Sequence, residues 1–163
     1  MVDRGARGDV PVRRLTVLYD AQCPLCTFVR GWLGRQRQLV PLEFVAAGSR
    51  EARQRYPGID HAATLGDITV IGDGGQFYRG GAAWVVCMWA LREHRVTAHR
   101  MCTPAGMKVA KQIVLGVAKY RERQFGGGAY RRQDGWTYDR SIGWTYLPAN
   151  DPAACDSGCR VGD

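Results

Sequence analysis

Two cysteines three positions apart, Cys23 and Cys26, stand between an apolar run and an apolar-periodic one. That junction constrains the fold more than any other part of the chain. Upstream, Leu15-Thr16-Val17-Leu18-Tyr19 reads as a strand. Downstream, Leu25, Phe28, Val29, Trp32 and Leu33 recur at the spacing of one helical face, with Arg30, Arg35 and Arg37 opposite. Pro24 falls at the first helical position, where its missing N–H would have no partner anyway. Cys23 is then the N-cap. The free N–H groups of the first turn and the helix dipole favour negative charge on its sulfur. Such settings draw a thiol from roughly 8.5 into the range of roughly 3.5–7.5. Cys26, one turn on, is placed to close a disulfide onto Cys23. The same C-x-x-C spacing also serves as half of a zinc site. No second C-x-x-C or His pair follows at zinc-finger spacing, and His61, His94 and His99 are scattered, so no metal is expected.

A chain of 163 residues is long enough for one domain with a real core. No apolar run approaches the roughly 20 residues that span a bilayer. The first fourteen residues are polar and Gly/Arg-rich, so no secretory leader is expected and the cytosol is the expected compartment. Six cysteines there argue for redox or metal chemistry rather than a disulfide scaffold. The net charge of +8 is concentrated: residues 92–132 hold ten Lys/Arg against two Asp/Glu, and the remainder holds thirteen of each. Such a segment could meet nucleic acid, an acidic partner or a membrane surface, or simply form a solvated helix face. No zinc finger, RNA-binding signature or Walker loop accompanies it, so nucleic acid is not an expected partner.

Along the chain, residues 1–14 read as a flexible arm, 15–125 as the main domain and 126–163 as an irregular C-terminal extension. Strands are expected at 15–19 and 40–45, joined by a helix over 24–38. A strand–helix–strand of this length is a parallel βαβ unit. Ser49 caps a short helix over 49–56. Strands at 67–71 and 76–79 flank Gly72-Asp73-Gly74-Gly75, a hairpin signal. Apolar helices follow at 82–91 and from 104 or 105 to 123. The stripe of the last is Met107, Ala110, Ile113, Val114, Val117 and Ala118. The predicted class is α/β: a four-stranded mixed sheet of βαβ plus antiparallel hairpin, flanked by helices, with an added C-terminal helix and an irregular tail. With C-x-x-C at the end of the first strand, this is a thioredoxin-like arrangement.

The segment Asp20-x-x-Cys23-Pro24-Leu25-Cys26 resembles the thiol-disulfide oxidoreductases named DCC for their Asp-Cys-Cys signature. Tyr78-Arg79-Gly80-Gly81-Ala82-Ala83 and the basic helix end Val117–Arg123 resemble later parts of that family, so the likeness runs from about Leu15 to Arg123. It implies a thioredoxin-like fold and dithiol–disulfide exchange without an organic cofactor. The partner is then a thiol or disulfide of a protein or small molecule, with a separate reductant. Thioredoxins usually carry a cis-proline before the third strand. Here Thr64-Leu65-Gly66-Asp67 has none, which leaves the backbone of Leu65 and Gly66, with Pro24, as the expected docking edge.

Cys23 is the expected nucleophile and Cys26 the resolving thiol. Asp20 could relay the proton of Cys26, or merely accept backbone N–H groups in the turn. Cys87, in an apolar helix, is expected in the core, and Cys102 has no motif. Cys155 and Cys159 could form an auxiliary redox pair, join the first pair around a metal, or be two exposed thiols. Gly135-Trp136-Thr137-Tyr138 recurs as Gly143-Trp144-Thr145-Tyr146. Its aromatic residues either mark a partner surface or fold back over the domain. The alternative to an exchange enzyme is a zinc-held or basic binding module with a protein or nucleic-acid partner and no catalysis.

Overall fold

The computed structural model describes residues 11–125, 130–139 and 141–147. Strand β1 (Leu15–Tyr19) runs into helix α1 (Pro24–Arg35), and β2 (Leu42–Ala46) returns parallel to β1 with Val17 opposite Phe44. Strand β3 (Thr69–Gly72) lies antiparallel on the other side of β1, and β4 (Phe77–Arg79) closes the hairpin, giving the order β2-β1-β3-β4. This is the mixed, thioredoxin-like sheet expected of the sequence. Pro41 stands just before β2 rather than within it, as its missing N–H requires.

Alternation along β1 sends side chains to two separate cores. Leu15 and Val17 join Val70, Leu33 and the buried face of α4 (Gly81–Ala90). Helix α5 (Arg95–Met101) and the long α6 (Pro104–Phe125) cover that same side. Leu18 points the other way and packs with Val45, Ile71 and two short helices, α2 (Arg50–Arg55) and α3 (His61–Gly66). Ser49 Oγ accepts from Ala52 N at 3.1 Å and so caps α2, as expected. Helices α3 and α5 lie outside the elements expected from periodicity. The first is started by Asp60, whose carboxylate accepts from Ala63 N at 3.1 Å.

The expectation of an irregular chain beyond residue 126 is corrected over 130–147. Here β5 (Tyr130–Arg131), β6 (Trp136–Asp139) and β7 (Gly143–Tyr146) form a second, antiparallel sheet. The repeated tetrapeptide is the cause. An eight-residue offset sets Trp136 opposite Tyr146 and Tyr138 opposite Trp144, so each Trp of one copy meets a Tyr of the other. Of the two readings of these aromatic residues, the structure shows the fold-back. Trp136 is only 5% exposed, sits in the Leu18 core and donates its indole N–H to Gly48 O at 2.9 Å. Gly48 has φ +69° and lies flat beneath the ring; a Cβ there would stand 2.5 Å from Trp136 Nε1.

Two stripes pack less deeply than their periodicity suggests. Phe28 is 66% exposed, and only Leu33 of the α1 stripe is fully buried. Of the α6 stripe only Ala110 is fully buried, while Ile113, Val114, Val117 and Ala118 roof a cavity instead of filling the core. Among the described residues no helix is long and apolar enough to cross a membrane.

Candidate active site

The turn after β1 is built by its own backbone and one carboxylate. Cys23 N donates to Asp20 O at 3.2 Å, and Gln22 N donates to Asp20 Oδ1 at 2.9 Å. Cys23 takes extended dihedrals, φ −90° and ψ 117°, as an N-cap does, and Pro24 follows at the start of α1. Its sulfur accepts from Cys26 N at 3.3 Å. Both residues are free thiols; Cys23 is buried and Cys26 half-buried. No acidic side chain occupies the first turn of α1, so nothing there competes for its N–H groups.

The two thiols are polarised in opposite directions. Cys23 is lowered from the ordinary 9.0 to about 6, chiefly because the Cys26 thiol donates to it. Burial works against this; the Cys26 backbone N–H and the Arg121 guanidinium support it, and the Asp20 carboxylate opposes it. Cys26 is raised, first because it supplies that hydrogen bond and then by burial. Cys23 is thus the more acidic of the two thiols and Cys26 the less acidic.

Asp20 lies behind this pair and is almost fully enclosed. Its Oδ2 accepts from Arg121 Nη2, on α6, and its Oδ1 is 2.7 Å from Arg132 Nη1, between β5 and β6. Arg121 also donates to Gly66 O at 3.1 Å. Arg132, whose side chain is 1% exposed, donates through Nε and Nη2 to Asp134 at 3.1 and 2.7 Å. The backbone-turn reading of Asp20 therefore holds for Oδ1, but the carboxylate is also an anchor for two buried guanidinium groups. Neither arginine could be singled out from the sequence. The signal was the basic excess of residues 92–132, most of which is solvated: Lys108, Lys111, Lys119 and Arg123 are all exposed.

A cavity of about 310 Å³ opens beside Cys26 and Asp20, between the sheet, α1, the end of α3 and α6. Pro24 is exposed at the start of α1. Leu65 is fully buried and, with Gly66, completes the last turn of α3. Leu65 and Gly66 are helical rather than extended, and the Gly66 carbonyl is held by Arg121. Cys87 is buried in the core as expected, where desolvation pushes its thiol up to about 12. Cys102 is exposed. Cys155 and Cys159 lie outside the described residues. Among the described residues no cluster of His, Cys, Asp or Glu could hold a metal ion.

A mixed β2-β1-β3-β4 sheet with a polarised C-x-x-C at the end of its first strand defines a thioredoxin-like dithiol protein. The chain belongs to the DCC1-like thiol-disulfide oxidoreductase family, whose model matches residues 17–127. Neither a curated protein nor a solved structure matches it.

Proposed function

We propose that this protein exchanges thiols and disulfides through Cys23 and Cys26. The observation that carries the reading is the Cys23 sulfur at the cap of α1, accepting from Cys26 N at 3.3 Å and lowered to about 6. At neutral pH such a sulfur is mostly thiolate, the form that attacks a disulfide. Attack releases one substrate sulfur as a thiolate and leaves the other bonded to Cys23. Cys26, once it gives up its proton, attacks the Cys23 sulfur, closes the Cys23–Cys26 disulfide and frees the second thiol. A separate thiol reductant then restores the pair. The cysteines themselves carry the electrons, so no organic cofactor is required. A reducing compartment such as the cytosol suits a dithiol that works in its free form.

In this reading Asp20 is a positioning residue. Two guanidinium groups and a backbone N–H already engage its oxygens, so the proton of Cys26 goes to solvent or to the leaving sulfur rather than to this carboxylate. The test is trapping. Cys26→Ser should hold a substrate as a mixed disulfide on Cys23, read by intact mass and reversed by reductant. If Cys23 alkylates only with an ordinary thiol pKa and no Cys23–Cys26 disulfide forms under oxidation, the reading fails.

A further inference from the structure

The cavity beside Cys26 is chemically lopsided. Every charged side chain on its wall is already engaged. Asp20 is paired with Arg121, Asp67 is 3.3 Å from Arg79, and Arg30 lies over the rings of Tyr19 and Phe44 at 5.7 and 5.4 Å. Thr64, also on the wall, spends its hydroxyl on His61 O at 2.7 Å. What remains to meet an occupant is apolar: Leu25 and Val29 from α1, Trp84, and Ile113, Val117 and Ala118 from α6. An enclosed apolar cavity of roughly 150 Å³ houses a benzene ring. At about 310 Å³ this one has room for a ring and a short chain.

Two observations favour a small molecule over a protein disulfide. Cys23 is 6% exposed, which leaves a bulky folded partner less room to reach it than a small molecule has. At the end of α3, where an extended peptide would pair, the chain is helical through Gly66 and the Gly66 carbonyl is held by Arg121. The cavity, by contrast, reaches Cys26, whose backbone N–H touches the Cys23 sulfur.

Resting on the exchange reading above, we propose that the substrate is a low-molecular-weight disulfide with an aryl or alkyl arm, and that the arm sits in the α1–α6 cavity. The Cys23 thiolate attacks the near sulfur of R–S–S–R, forming Cys23–S–S–R and releasing RS⁻. Cys26 loses its proton, its sulfur displaces the second RS⁻, and the Cys23–Cys26 disulfide forms. Both RS⁻ groups take up protons. Two electrons pass from the dithiol to the substrate, and an added dithiol reductant returns them.

The experiment uses the reduced full-length chain with two symmetric dialkyl disulfides, bis(2-hydroxyethyl) and bis(2-phenylethyl). Each second-order rate constant is divided by that of a free monothiol with the same disulfide. Burying one phenyl group predicts a preference for the phenylethyl compound of roughly 10- to 100-fold. Ala118→Phe, or Val117→Phe if the first folds poorly by circular dichroism, fills the cavity and should bring that ratio near one. A wild-type ratio near one, with both disulfides reduced, overturns the inference and leaves the exchange reading intact. A preference that survives both filling variants also overturns it, because the arm then binds elsewhere. If neither disulfide is reduced while Cys23 remains alkylatable, this inference falls, and the Cys26→Ser trapping experiment decides the exchange reading separately.

Discussion

Replacing Arg132 by Gln isolates the contribution of a guanidinium that lies outside the matched family region. The side chain is enclosed, 2.7 Å from Asp20 and bonded through Nε and Nη2 to Asp134. Removing one partner of a buried pair costs about 3–5 kcal/mol, because the other charge stays buried and under-compensated. Asp20 keeps Arg121 and the Gln22 N–H, and Asp134 is partly solvated, so the loss belongs at the low end, about 3 kcal/mol. For a chain of this length, at about 2–4 °C per kcal/mol, the melting temperature should fall by about 6–12 °C. Asp20→Asn should cost more, nearer 5 kcal/mol, since it leaves two buried cations without their shared anion. The double variant should cost less than the sum, by about 0.5–3 kcal/mol, because the residues touch. Urea unfolding of the four proteins measures all three quantities. If Arg132→Gln lies within about 0.5 kcal/mol of the parent, as a surface change would, the enclosed charge cluster does not exist in solution and the account of Asp20 is refuted.

The alkylation rate of Cys23 should rise with pH through a midpoint near 6, and Cys26→Ala should move that midpoint upward, since the Cys26 thiol is the main cause of the lowering. Asp20→Asn should shift the midpoint down and Arg121→Gln up, following the sign of each charge; a pH series with iodoacetamide and mass detection reads both. Because the folded pKa lies below the ordinary 9.0, the Cys23 thiolate contributes stability that is fully present above that value. The contribution is lost as pH falls through about 6, and it should vanish from the pH dependence of unfolding in Cys23→Ser. Trp136→Ala should cost about 4 kcal/mol by emptying the Leu18 core, and thermal unfolding would report it. Gly48→Ala should cost about 2 kcal/mol or more in the same assay, because the new methyl group meets the indole.

Local chemistry was readable wherever its cause was local. Cys23 at the cap and Pro24 behind it needed only neighbours within one turn. The four main strands followed from apolar runs and the Gly72–Gly75 turn. Phe28 shows the limit of periodicity: its place on the α1 stripe is right in angle, yet it is exposed and lies off the cavity wall that Leu25, Val29 and Leu33 line. The Gly-Trp-Thr-Tyr repeat was visible, yet strands of four residues carry too little alternation to be told from loop. Arg121 could not be found this way, because its partner lies 101 residues away and a buried pair leaves no mark on either side's neighbours. Whether Asp20 was a turn residue or a proton relay depended on that same partner.

The distance between Asp20 and its cations also sets an order of events during synthesis. The thiol turn leaves the ribosome early, while Arg121 follows 101 residues later, which at bacterial or eukaryotic speeds is roughly 5–20 s. Over that interval the carboxylate has no guanidinium to accompany it into the interior, so burying the turn would leave an uncompensated charge. The nascent N-terminal half should therefore keep Cys23 and Cys26 open to solvent, and to any oxidant, until α6 and then the Trp136 sheet arrive. Pulse alkylation of ribosome-bound chains of increasing length would show protection of Cys26, the thiol that folding raises, beginning only once residue 121 has emerged.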